Sequence, residues 1–291
     1  MDLTTLNQIY LDRGDNVQCT ISRFGANITS WTVWGVEQLF VSRKTTYNNL
    51  KPIKGGIMLI FPHYKYWSLG PSNGFASMMV WKIDKGPFKL PTGDIQVILV
   101  LEQGQIANNI WNYQYHIQYT VTLLEKELHL DWTIKNLSKY SFHFNFLFSN
   151  HVRVPDIRNC KLQGVKDSKY IDEINDLYLL EQKDDEILLD CELNKIFVST
   201  TENIIITDIM AERNLYVHKV NLPDTIVQTI GEEKGKSMED FCPNEWNKML
   251  ILEFGHKYQQ INLLPNCSLE SHLKLKVKSD KEVDNYVIRF Y

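Results

Sequence analysis

The chain has few cysteines and no pattern among them. Cys19, Cys160, Cys191, Cys242 and Cys267 are an odd set at wide spacing with no CxxC pair. That excludes a disulfide framework and a zinc knuckle as organising devices, and reduced, mostly buried thiols are expected. No apolar run approaches the ~18 residues of a spanning helix, and the N-terminal MDLTTLNQIYLDRGD lacks the basic and apolar regions of a leader. A cytoplasmic location without membrane contact is the expectation. Positive charge is not in surplus either: the formal net charge is −4 with both signs interspersed, so there is no basic face for nucleic acid. His116, His129, His143, His218, His256 and His272 show no paired ligand spacing, and neither a metal nor a cofactor is expected.

Helix-forming stretches are scarce as well. Only residues 231–249, GEEKGKSMEDFCPNEWNKM, have enough helix formers for a short helix, limited by Gly231, Gly235 and Pro243. What the chain does have is apolar bulk, 44% of residues with 12% aromatic, enough for a sizeable core. Much of that bulk alternates. Residues 17–40 place Val, Ile and Trp between polar residues, with Gly25 and Gly35 as turn points. Ile117, Tyr119, Val121 and Leu123 interleave with polar residues, and after a turn at Glu125-Lys126-Glu127 so do Leu128, Leu130, Trp132 and Ile134.

Phe142, Phe144, Phe146 and Phe148 keep the period of two. The run DIQVILVLE, after the turn cluster Lys89–Gly93, is too apolar for a wet face and predicts a central strand. Shorter strands are expected at 194–199, 203–208, 215–220, 225–229, 249–254, 259–264, 271–278 and 286–290. About a dozen strands with little helix imply an all-β architecture of packed antiparallel sheets, a sandwich and not a βαβ fold. Continuous strand traffic favours one domain over 1–291.

One stretch breaks every period. Lys54–Trp81, KGGIMLIFPHYKYWSLGPSNGFASMMVW, has a Gly pair, Pro62, Gly70-Pro71 and Asn73-Gly74 among its aromatics. It predicts an ordered loop, the usual place for a site. The stretch resembles the RGGIP…FPQ…QHGFAR…W signature of the glucose-6-phosphate 1-epimerase branch of the aldose 1-epimerase family. The likeness runs from FGANITSW to the last strands and implies a galactose-mutarotase-like β-supersandwich.

Mutarotation needs a base for the C1 hydroxyl proton and an acid for the ring oxygen. The resemblance puts the base at Glu253, in MLILEFG. A carboxylate on an otherwise apolar strand is costly unless paired, protonated or at work, and burial raises its pKa. The acid histidine of the family corresponds to Ser149 in FSNHVRVPDI, and the histidine of QHGFAR to Asn73, preceded by Ser72. Serine is no useful acid near neutral pH.

The family's sugar-contacting arginines correspond to Lys54 and Ser77, and its aspartate to Asn194. Lysine keeps a charge but not the bidentate fork. His151, two residues from Ser149 on the same strand face, and His63, in the opening loop, are the candidate substitute acids. Arg153 and Lys65 are candidate anion contacts. Tyr64, Tyr66 and Trp67 either stack on a sugar or close the core.

Three readings follow. The first is an epimerase-like protein with a degraded catalytic site, binding a hexose, a hexose 6-phosphate or a protein partner. The second is an active mutarotase with Glu253 as base and His63 or His151 as acid. The third is a sandwich without a pocket, filled by Tyr64, Tyr66, Trp67 or Met78.

Overall fold

A computed structural model of the chain describes residues 7–102, 110–208, 213–239 and 241–279. Those residues build two antiparallel sheets, one of eleven strands and one of nine. The eleven-stranded sheet has Phe142–Arg153 and Met249–Leu263 side by side at its middle, flanked by Ile57–Ile60 and Asp224–Thr229. The nine-stranded sheet is centred on Glu127–Asn136 and Ser268–Ser279. No described helix is long and apolar enough to cross a membrane.

Alternation explains how the sheets meet. Leu128, Leu130, Trp132 and Ile134 turn inward from one sheet, and Phe142, Phe144, Phe146 and Phe148 from the other. Their side chains interdigitate, as in any pair of sheets that shares a face. Trp132 stacks on Phe146 with ring centroids 3.7 Å apart and planes 9° from parallel. Because period two assigns successive residues to opposite faces, Leu147, Ser149 and His151 are aimed away from this core.

Several elements depart from the sequence reading. DIQVILVLE forms Ile95–Glu102, one strand in from the sheet edge, and Lys82–Lys89 is the edge. Its apolar character reflects burial at alternate positions plus Val100, not a central place. The strands expected at 249–254 and 259–264 are one strand, Met249–Leu263, whose register against its neighbour jumps between Phe144 and Phe146. Strands at Gln8–Gly14, Lys82–Lys89, Cys160–Gln163, Lys169–Asp172, Asp176–Glu181 and Glu186–Leu188 had no sequence signal.

Most of these unsignalled strands sit at or near sheet edges, where one face or both is wet; every residue of Lys82–Lys89 is exposed. Helix in 231–249 is short as expected: Glu232–Ser237, then a 3-10 turn at Pro243–Lys248. The strand expected at 286–290 lies outside the described residues.

The Trp132–Phe146 stack joins the two sheets at full burial, so Phe146→Ala should cost about 3–5 kcal/mol. Urea denaturation measures it, and a loss under about 1 kcal/mol would mean that the sheets are not joined there.

Candidate functional site

The outer face of the eleven-stranded sheet carries what the core face cannot. Ser149 pairs with Glu253 across Phe142–Arg153 and Met249–Leu263, and His151 pairs with Ile251. On the next strand Gln228 is opposite Ile251, and Met58 is opposite Ser149 on the other side. These side chains line a cavity of about 770 Å³. Its size is that of small-molecule sites generally, about 300–1,000 Å³. Lys54, Ser72, Asn73 and Ser77 line it too. Tyr64, Tyr66 and Trp67 do not line the cavity, and Met78 does.

Glu253 is 6% exposed, and both of its oxygens are engaged. Ser149 Oγ donates to Oε1 at 2.8 Å, and Tyr64 Oη donates to Oε2 at 3.0 Å. Burial pushes the carboxyl above its ordinary 4.5, a push opposed by those two hydrogen bonds and by the nearby charge of Lys65. Burial, with the Glu253 charge beside it, drives the Tyr64 phenol far up, so it stays a neutral donor. The ammonium groups of Lys65 and Lys257 lie 5.5 and 5.3 Å from the Tyr64 ring centroid, at cation–π distance. The arrangement is a buried acid in a polar clasp with a cavity in front of it.

The loop is held by its own backbone geometry. Asn73 takes φ 64° and Gly74 φ 74°, conformations that Asn tolerates and Gly adopts freely. A Cβ on Gly74 would meet Phe61 O at 2.1 Å. Asn73 ties the loop shut: its Oδ1 accepts from Lys65 N at 2.7 Å, and its N–H donates to Lys65 O at 2.9 Å. Ser77 is buried in the 3-10 turn Ala76–Met78.

His151 is partly buried, and its Nδ1 is enclosed without a hydrogen-bond partner. Burial pulls the imidazole down to about 4. The ring is therefore neutral at pH 7.

Other predicted residues lie elsewhere. His63 lines a separate depression with Trp111 and His143, its ring stacked on Trp67 at 5.7 Å. Arg153 does not line the Glu253 cavity; its Nε donates to Leu39 O at 3.2 Å, and its guanidinium lies 5.4 Å from the Phe40 ring centroid. Asn194 is also off the lining: its Nδ2 donates to Glu173 Oε2 at 2.9 Å, and Lys65 pairs with the same carboxylate. Tyr66 is 80% exposed and closes nothing.

The sequence reading missed Tyr64 as the partner of Glu253, and it missed Gln228, Met238 and Phe241 on the lining. A Tyr directly after FPH was the one visible signal. Among the described residues no group of three His, Cys, Asp or Glu could hold a metal.

Two titrations check this geometry. Glu253 binds its proton more tightly folded than unfolded, so its contribution to stability is complete below about pH 4.5 and is lost as pH rises through the folded value. Urea stability of wild type minus Glu253→Gln should fall from pH 4.5 upward; a flat or rising difference would refute the buried carboxyl. His151 has the opposite sign, its contribution complete above 6.5 and lost as pH falls toward 4. By NMR its ring should not titrate between pH 8 and 5, and a midpoint near 6.5 would show an open imidazole.

Comparison with known proteins agrees with the fold. A provisionally named glucose-6-phosphate 1-epimerase of Cenchrus ciliaris is 28% identical over 267 residues, 89% of this chain and 81% of that protein. A provisionally named mutarotase of Salmonella typhimurium superposes with a TM-score of 0.85 at 17% identity, over 94% of this chain and 90% of its own. A galactose mutarotase-like protein of Clostridium acetobutylicum gives 0.76 at 14% identity, over 94% and 95%. The fold is thus the galactose-mutarotase-like sandwich. The aldose 1-epimerase family model matches residues 7–276, and the chain belongs to that family.

Proposed function

We propose that this protein binds a hexose or hexose 6-phosphate in the Glu253 cavity and is at most a weak mutarotase. The observation that carries the reading is the clasp on Glu253, both oxygens of which accept from hydroxyls, Ser149 and Tyr64. A carboxylate so held retains acceptor capacity for sugar hydroxyls. It has a raised pKa, which suits a base, but a base is half of the chemistry.

The other half needs an acid for the ring oxygen. Ser149 and Tyr64 are neutral hydroxyls far from titration at pH 7, and His151, the one imidazole on the lining, is pulled down to about 4. A neutral imidazole of that basicity protonates nothing effectively. Lys51 and Lys54 stand at the cavity with exposed side chains, suited to a phosphate's charge though not to its bidentate grip.

A second reading, an active mutarotase with His151 as acid, is favoured by one feature. His151 is diagonal to Glu253 on adjacent strands, about 7–8 Å away along the backbone, which leaves room for a sugar ring between the side chains.

NMR saturation transfer between the anomers of glucose 6-phosphate separates the two. Binding without efficient catalysis predicts ligand-induced shifts with exchange within about tenfold of the buffer rate, because a positioned acid or base contributes about 10²- to 10⁴-fold. Acceleration beyond about 10²-fold, lost in both Glu253→Gln and His151→Asn, would overturn it in favour of the second. Shifts absent in wild type would overturn both.

A further inference from the structure

The cavity has two unlike ends. Glu253, Ser149, Asn73, Ser77 and Gln228 provide hydrogen-bonding groups at one of them. At the other, Phe40, Ile230, Phe241 and Met249 form a buried apolar cluster separate from the main core, against which Met238 packs, with the exposed Lys51 and Glu239 also on the lining. Four of the seven methionines of the chain, Met58, Met78, Met238 and Met249, line this one cavity. Thioether side chains are flexible and polarizable, and they shape themselves to apolar and aromatic guests.

The apolar wall is built in, not a collapsed loop. Glu245, 6% exposed, anchors the Pro243–Lys248 turn: its Oε2 accepts from Ser42 Oγ at 2.8 Å and its Oε1 from Arg43 Nε at 2.8 Å. Ser42 Oγ in turn accepts from Cys242 N at 3.1 Å. Behind the wall, Gly235 packs so closely on Trp246 that a Cβ would meet the Trp246 Cβ at 2.8 Å. Gly235 and the Pro243–Lys248 turn, which flank Met238 and Phe241 in sequence, are therefore both tightly packed.

A bare hexose uses only part of this enclosure. Its C–H faces can lie on apolar side chains, but rim hydroxyls turned toward methionine and phenylalanine would lose water without gaining a partner. The complementary guest is polar at one end and apolar at the other. Building on the binding reading above, we infer that the preferred ligand is a glycoside, its sugar on the Glu253 end and an apolar or aromatic aglycone against the Met238–Phe241–Met249 wall. A glycoside has no free anomeric hydroxyl and asks for no acid–base pair. The wall and the clasp on Glu253 then serve the same ligand.

Isothermal titration with D-glucose, glucose 6-phosphate and phenyl D-glucopyranoside of both anomers tests this. One phenyl anomer should bind at least about tenfold tighter than glucose, from the area its ring buries. Met238→Glu, at a partly exposed site that tolerates a charge, should erase that preference, so that in the variant neither phenyl glucoside binds more than about twofold tighter than glucose. If glucose 6-phosphate binds and neither phenyl glucoside exceeds it, the glycoside inference fails and the binding reading stands. A phenyl preference that survives in both Met238→Glu and Met249→Gln also overturns it. No binding by any of the four sugars overturns the inference and the binding reading together.

Discussion

Every feature of the cavity hangs on the register in which Phe142–Arg153 lies against Met249–Leu263, with Ser149 opposite Glu253. Slipping that pairing by one residue would move each strand's outward set into the core. Glu253 would then face Trp132 and the phenylalanine ladder. The register is pinned from the core side, where Phe142, Phe144, Phe146 and Phe148 are fully buried beside Leu250, Leu252 and Phe254. Apolar burial on one face thus dictates where polar groups stand on the other, although the two sets never touch.

That division of labour separates what the fold requires from what the site requires. The core face tolerates only substitutions that keep volume and apolarity. On the outer face, Ser149 and Asn73, which the resemblance aligns with histidines, each make a structural bond: Ser149 to Glu253, Asn73 to the Lys65 backbone. Tyr64 completes the arrangement from the loop. The carboxylate is left buried but not unpaired, and a buried carboxylate is sustainable only when paired.

Local patterning made the long strands legible. Where one face is dry and the other reaches water, as in Glu127–Asn136 and the first half of Tyr115–Leu123, alternation alone reveals strand and orientation. It failed at Lys82–Lys89 and Asp176–Glu181, edge strands held by backbone bonds to a single neighbour. It also misjudged Ile95–Glu102, since an apolar run reports burial but not position in the sheet. In the site, Glu253 was marked by the resemblance, and a carboxylate on an apolar strand demands a partner. His63, Arg153 and Asn194 drew attention for their chemistry and are turned to other contacts.

From the sequence by itself came the sheet class, the inward sets of the long strands and the irregular stretch after Phe61, though Ile57–Ile60, read as part of that loop, is a strand of the larger sheet. All of these are written in side-chain direction and turn chemistry within a few residues. Only the tertiary structure decided which groups meet. The partners of Glu253 come from 104 and 189 residues away, and the Ser42–Glu245 bond that fixes the apolar wall spans 203. Such encounters depend on sheet order, crossover and register, which are set by core packing over the whole chain and leave no periodic trace at the residues they join.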